Sequence, residues 1–215
     1  GFTEDFVYVV GSPMKEVLDN NEDSIERSSV IEQLNLEKGK YFVVSSHREE
    51  NLDIRDNFKV LSSSLNAIAE TYGNPVIFST HPRTAKKIEE MEIKYHKLIK
   101  NIEPLGFFDY VKLQKESRCV LSDSGTVAEE SAIMNFPAVS MRTSFERPEA
   151  LDAGTIVLGG IKIESLISSI EIAMKTTTEN LVKFVKDYQD VTVSDKVVKI
   201  IQSYVEIVNN RVWNK

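Results

Sequence analysis

Cys119-Val120-Leu121-Ser122 runs directly into Asp123-Ser124-Gly125-Thr126 and then into Val127-Ala128-Glu129-Glu130. The first four residues have the apolar, β-rich character of a strand covered on both faces, and a helix is expected from Thr126 to Met134. The junction between them is built of small and hydroxyl residues at a helix start. There, unsatisfied N–H groups and the helix dipole favour an anion, and a diphosphate fits. Glu130 lies one turn beyond Thr126, within reach of a ribose whose phosphate sits on Ser124, Gly125 and Thr126. Ser and Asp also cap helices routinely, so the junction alone leaves both readings open.

Working outward, strand-length apolar runs alternate with amphipathic helical stretches, the pattern of βα units that build a parallel sheet. Strands are expected at Val7 to Val10 (with Phe6 leading in), Tyr41 to Ser45, Val76 to Ser79, Ile99 to Ile102, Cys119 to Ser122, Ala138 to Ser140 and Thr155 to Val157. A helix follows Gly11, with Ser12 as its cap and Pro13 in its first turn. Another runs from Asp56 to Tyr72, with Phe58, Leu61, Leu65, Ile68 and Ala69 on one face and Gly73 as its stop. Further helices are expected at Pro82 to Met91, Phe107 to Glu116, Ile163 to Met174 and Ser194 to Val212. The last, capped by Ser194, carries Val197, Val198, Ile201, Tyr204, Val205 and Val208, and is long enough to pack on more than one body.

The chain has 215 residues, which suits one α/β domain or one domain with a small appendage. Its 26 Lys and Arg against 33 Asp and Glu leave a formal charge of −7, which argues against a nucleic-acid partner because phosphate backbones select basic domains. The single cysteine, Cys119, sits in an apolar run and has no partner for an internal disulfide, favouring a reduced, cytoplasmic setting. No apolar run approaches the length that spans a bilayer. Gly1 stands where an initiator Met would, and a strand is expected within a few residues of it, as in a chain cut from something longer.

In a parallel α/β sheet, ligands bind beyond the carboxyl ends of the strands, so the other strand-to-helix junctions are the places to look. Ser45-Ser46-His47-Arg48-Glu49-Glu50-Asn51 places a histidine and an arginine after a strand, where they hold phosphate, move a proton, or decorate a charged turn. His47, Glu49 and Glu50 are metal-ligand types. However, adjacent acids point apart and no second His or Cys stands at helical ligand spacing, so no metal is expected. Arg142-Thr143-Ser144-Phe145-Glu146-Arg147-Pro148-Glu149 places Arg147 beside a helix started by Pro148, where it reaches a phosphate or pairs with Glu146. In Ser79-Thr80-His81-Pro82-Arg83-Thr84, the Thr80 hydroxyl is the expected cap and His81 is free to point into a cleft or to pack. His96, among Lys94, Tyr95 and Lys97, reads as solvated. The Gly-x-Ser-x-Gly elbow, the G-x-x-x-x-G-K-[ST] loop and the G-x-G-x-x-G fingerprint are all absent, which removes serine hydrolases, P-loop triphosphatases and dinucleotide dehydrogenases.

Taken in order, Ser46-His47-Arg48-Glu49-Glu50-Asn51, His81-Pro82, Glu103-Pro104-Leu105, Leu121 to Thr126 with Glu129-Glu130, Pro137, Met141-Arg142, Glu146-Arg147-Pro148-Glu149-Ala150 and Gly154-Thr155 resemble the non-hydrolysing UDP-N-acetylglucosamine 2-epimerases. The resemblance runs from about Val7 to Val157 and, less specifically, to the last helix. Ser45 to Asn51, Ser79 to Thr84, Gly106-Phe107-Phe108-Asp109-Tyr110 and Asp123-Ser124-Gly125-Thr126 look most like the branch that forms UDP-N-acetyl-L-fucosamine for bacterial surface and capsular polysaccharide. Thr126 departs from the broader family, which more often has a second glycine there.

The resemblance implies a Rossmann-like α/β domain with helices on both faces of a parallel sheet, one half of a glycosyltransferase-B-like fold. Residues 1–215 would be the C-terminal nucleotide-binding domain, with the last helix, about 194–212, packing toward an N-terminal domain. It also implies elimination of UDP to a 2-acetamidoglycal and re-addition after reprotonation of C2 on the other face, without a cofactor. By position, His47 would be catalytic beside the diphosphate. Ser124, Gly125 and Thr126 would hold the phosphates, Glu130 the ribose and Arg147 the nucleotide sugar. The carboxylates that move the C2 proton would lie in the other half, so this chain alone would not turn over, and the full-length protein would be a homodimer. A glycosyltransferase of the same architecture and a non-catalytic UDP-sugar-binding module are the competing readings. The pairing of the His47 and Arg147 motifs speaks for the epimerase.

Overall fold

The computed structural model describes residues 7–142, 144, 147–178 and 185–213. Six strands, β1 (Phe42–Ser45), β2 (Val76–Ser79), β3 (Ile99–Ile102), β4 (Cys119–Ser122), β5 (Ala138–Ser140) and β6 (Val157–Leu158), form one sheet in the order β3-β2-β1-β4-β5-β6. Every pairing is parallel. The order reverses direction between β1 and β4, and this is the switch point at which such sheets open a crevice for ligands.

Alternation along the strands explains the layering, because successive side chains leave opposite faces of the sheet. Phe42, Val44, Val76, Phe78, Cys119, Leu121 and Val139 join one core, against Phe58, Leu61, Leu65 and Ile68 of α5 (Arg55–Tyr72) and Leu166, Ile170 and Ala173 of α10 (Ile163–Thr178). Tyr41, Val43, Ile77, Val120 and Ala138 join the other, with Leu113 of α7 (Phe107–Lys115) and Val127 and Ala128 of α8 (Val127–Met134). The helices therefore cover both faces. α5 ends where expected: Gly73 takes up a left-handed conformation (φ 62°) and donates its N–H to Ala69, a position where a side chain would be strained.

Several expectations need correction. Val7 to Val10 is not a strand; Val7 and Val9 stand 55% and 88% exposed, so this apolar run has neither a ladder partner nor a core to enter. Phe6 lies outside the described residues. The sixth strand is displaced to Val157–Leu158, where Val157 pairs with Val139. Thr80 does not cap α6 (Pro82–Glu90); its hydroxyl donates to the Ile102 carbonyl (3.2 Å), and the ring Nδ1 of His81 accepts the Arg83 N–H (3.3 Å) instead. His96 is half-buried, and its own N–H donates to Asn66 Oδ1.

Ahead of α1 (Met14–Asn20) the cap position falls to Pro13, one residue later than the expected Ser12, although the Ser12 hydroxyl still accepts the Met14 N–H at 3.1 Å. The last helix, α11 (Val193–Arg211), is preceded by Thr192 rather than capped by Ser194. The Ser194 N–H and hydroxyl both bind the carboxylate of Glu16, which docks the start of α11 on α1. Val198, Ile201 and Val205 of α11 remain exposed. No described helix is long and apolar enough to cross a membrane.

Candidate nucleotide site

Ser45 at the end of β1 is in register with Ser122 at the end of β4, so the two loops that follow leave the sheet side by side at the switch point. One is Ser46-His47-Arg48, leading into α4 (Glu49–Leu52), and the other is Asp123-Ser124-Gly125-Thr126, leading into α8. Asp123 joins them. Its side chain is shut off from solvent, and its oxygens accept the Ser46 hydroxyl (2.7 Å), the N–H groups of His47 (3.1 and 3.2 Å) and Arg48 (3.1 Å), and Nδ2 of Asn51 (3.0 Å). His47 Nδ1 stands 3.5 Å from Asp123 Oδ1, on a side chain that is 57% exposed. Arg48 Nε donates to the Asp123 carbonyl (3.0 Å), and Asn51 reaches on to the Met141 carbonyl beyond β5 (3.1 Å). A buried carboxylate is tolerated only when hydrogen bonds replace its water, and here four residues of one short segment supply them.

The Ser124 to Thr126 loop is tighter than the sequence suggests. Ser124 donates its N–H to the Ser122 hydroxyl (3.1 Å), Thr126 donates its N–H to the Ser124 hydroxyl (3.4 Å), and the two loop hydroxyls lie 3.0 Å apart. Two N–H groups expected to be free are thus engaged within the loop itself. Arg147, immediately before α9 (Pro148–Asp152), donates Nε to the Gly125 carbonyl (3.0 Å) and places Nη2 3.4 Å from Glu129 Oε1. A Cβ on Gly125 would meet this guanidinium at 3.8 Å, so arginine and glycine already pack face to face. The expected Arg147 pairing with Glu146 falls outside the described residues, as do Thr143 and Phe145.

Glu130 is placed differently from the others. It is buried one turn into α8, and its Oε2 accepts Nε2 of Gln114 on α7 at 2.8 Å. Burial pushes its carboxyl above the usual range, opposed by hydrogen bonds from Gln114 and Thr126. Burial likewise raises Glu129, opposed by the Arg147 charge and a Ser12 hydrogen bond. Tyr110, half-buried beside Ser45, is pushed up to about 12 by desolvation.

An open cleft of about 530 Å³, lined among others by Tyr8, Ser12, Glu129, Arg147 and Tyr188, adjoins the loop; its size is within the range of small-ligand sites. His47 and the Ser124 to Thr126 loop are thus brought together through Asp123, and Arg147 closes on Gly125. Glu130 sits a turn deeper and outside the cleft lining, and His81 joins none of these bonds. The sequence does not single out Asn51 or Gln114, and it offers Asp123 only as a helix cap, a role Asp123 does not take, since α8 follows Thr126 with no side-chain cap. The only signal was that Asp123 follows a strand and Asn51 ends the His47 motif. Among the described residues, no three His, Cys, Asp or Glu side chains gather as metal ligands would.

The family profile described as UDP-N-acetylglucosamine 2-epimerase matches residues 1–202. The chain belongs to the UDP-N-acetylglucosamine 2-epimerase family. A UDP-N-acetylglucosamine 2-epimerase of Methanocaldococcus jannaschii is 33% identical over 187 residues, which are 81% of this chain and 50% of the relative. A solved UDP-N-acetylglucosamine 2-epimerase of Rickettsia bellii superposes with a TM-score of 0.83 at 37% identity, covering 96% of this chain and 56% of that one. The Methanocaldococcus jannaschii enzyme, solved in complex with UDP-GlcNAc and UDP, gives a TM-score of 0.84 at 30% identity, covering 94% of this chain and 56% of that one. The chain spans about half the length of the family relatives it matches, and its fold is one half of their glycosyltransferase-B-like architecture.

Proposed function

We propose that this chain is the C-terminal, UDP-binding half of a UDP-N-acetylhexosamine 2-epimerase. The observation that carries the reading is the convergence of the His47 loop and the Ser124 loop on Asp123 at the sheet's switch point, with Arg147 fixed on Gly125. Its support from relatives is the family match and the UDP complex of the Methanocaldococcus jannaschii enzyme.

In the reaction, a base removes the C2 proton of the sugar and the electron pair forms the C1–C2 double bond. The C1–O bond breaks, and UDP departs with its bonding electrons. Reprotonation of C2 on the opposite face and return of UDP to C1 complete the inversion. Ser124, Gly125 and Thr126 bind the phosphates, and Arg147 neutralises charge that grows on them as the bond breaks. His47 acts beside the diphosphate, Glu130 takes the ribose hydroxyls, and the C2 bases come from the N-terminal half. The apolar face of α11, with Val198, Ile201 and Val205, packs on that half, and the whole enzyme is a cytoplasmic homodimer. The resemblance of Gly106 to Tyr110 and Asp123 to Thr126 favours a substrate on the route to UDP-N-acetyl-L-fucosamine in polysaccharide synthesis.

The test is turnover of UDP-GlcNAc by the full-length protein, followed by NMR of the C2 epimer. His47→Ala should cut the rate by about 10²-fold or more with an unchanged thermal melt. Turnover near the wild-type rate in that variant removes His47 from catalysis.

A further inference from the structure

We propose that Asp123 is a positioning residue that sets the orientation and tautomer of His47. The inference rests on the reading of His47 as an active-site group, and it concerns a residue to which the proposed function gives no part.

Asp123 is fully buried, and its donors come from a single segment, Ser46 to Asn51, on the far side of the β1–β4 pairing. Two of the donors are the successive N–H groups of His47 and Arg48, so the carboxylate fixes the backbone that carries both side chains. It also faces the ring itself, with Asp123 Oδ1 3.5 Å from His47 Nδ1. An ionised carboxylate only accepts hydrogen bonds, so the nitrogen turned toward it keeps the proton. The neutral ring is then the Nδ1–H form, with Nε2 on its other edge. A histidine held this way offers a ligand an accepting Nε2 when neutral and a donating one when protonated, without a tautomer change in between. The Ser46 hydroxyl and Asn51 amide fill the carboxylate's remaining capacity without touching the ring, so support of the loop and control of the tautomer separate onto different partners.

The experiment is long-range ¹H–¹⁵N NMR of the histidine rings in the ¹⁵N-labelled 215-residue chain, above the pH at which they titrate. His47 is assigned by loss of its signals in His47→Ala. The wild type is expected to show His47 as the Nδ1–H tautomer. Asp123→Asn, whose amide turns a donor toward the ring, should shift it to Nε2–H. Ser46→Ala removes one bond to the same carboxylate but leaves the ring contact, and should keep Nδ1–H. A wild-type His47 in the Nε2–H form overturns the proposal even if Asp123→Asn does not fold, and so does a folded Asp123→Asn with an unchanged tautomer. In the full-length protein, Asp123→Asn should lower kcat by about 10²- to 10⁴-fold, and adding it to His47→Ala should lower it no further. The NMR signature needs no turnover, so absence of epimerase activity would count against the proposed function and leave this inference to be judged on the spectra.

Discussion

Gly159→Ala probes the seam between the sheet edge and α10. Gly159 follows β6, donates its N–H to the Ser140 carbonyl at 2.9 Å, and lies where a Cβ would stand 2.5 Å from Val139 Cγ1 and 3.2 Å from both Cβ and Oγ of Ser169. Val139 is fully buried and Ser169 is 6% exposed, so neither can swing away into solvent. Overpacking of this kind costs about 1 to 3 kcal/mol. Because the Gly159 backbone is outside the left-handed region, alanine also restricts the unfolded chain and returns about 0.4 to 1 kcal/mol. With the new Cβ 2.5 Å from a fully buried methyl, the overpacking cost falls in the upper half of that range, so the expected net loss is about 1 to 2.6 kcal/mol, or roughly 2 to 10 °C in Tm for a chain of this size. Val139→Ala alone should cost about 2 kcal/mol, from two lost methyls and the void they leave. In the double variant, the new Cβ occupies the space vacated by Val139 Cγ1. The two losses should therefore fall short of additivity by about 1 kcal/mol. Urea unfolding followed by far-UV circular dichroism measures all four corners of the cycle. A Gly159→Ala chain as stable as wild type, or strictly additive losses, would refute the packing argument.

Two further outcomes are expected from titratable groups. Glu130→Gln should weaken UDP binding in calorimetry by about 10- to 100-fold through loss of charge-assisted bonds to the ribose, and an unchanged Kd contradicts that role. Burial raises the folded pKa of Glu130 above 4.5, which makes its ionisation a stability cost at neutral pH. The variant should consequently be as stable as wild type or more so at pH 7, an advantage that disappears as pH falls below about 4.5. Glu26 on α2 (Glu22–Glu26) is the opposite case: Lys112 (2.5 Å) and Lys115 (2.6 Å) of α7 pull its carboxyl down to about 2. Its contribution is present above about 4.5 and lost as pH falls toward 2. Since the side chain is 43% exposed, solvent screening limits Glu26→Gln to about 0.5 to 1 kcal/mol at pH 7, and urea melts at pH 2 should show no difference.

What could be read from the sequence follows from what each element depends on. Val76–Ser79 and Cys119–Ser122 lie where expected because a β-rich run buried on both faces has few other uses. Val7 to Val10 has the same composition and is no strand, since strand formation needs a neighbouring edge that composition does not supply. The start of α11 was misplaced because Ser194 is claimed by Glu16, 178 residues earlier. Short α2 and α3 (Val30–Gln33) give no periodic signal over so few residues. The candidate site was legible as separate motifs: His47, the Ser124 loop and Arg147 all lie at strand ends. That Asp123 joins the His47 loop to the Ser124 loop is not legible, because the donors lie about 75 residues away and burial of the carboxylate appears only once β1 and β4 are paired.

That pairing has a consequence for how the chain folds. Each strand contact in the sheet closes a loop, and β1 with β4 closes the longest, joining residues 42–45 to 119–122. Loop closure must precede the contacts that reward it, so this step comes late. The amide protons of His47 and Arg48, although they sit in a surface loop, bond to a side chain that exists as an acceptor only after that step. They should exchange with solvent through the same large openings that release the central strands, and far more slowly than neighbouring turn amides. The His47 loop should thus share the cooperativity of the sheet's centre and open with it rather than fray by itself.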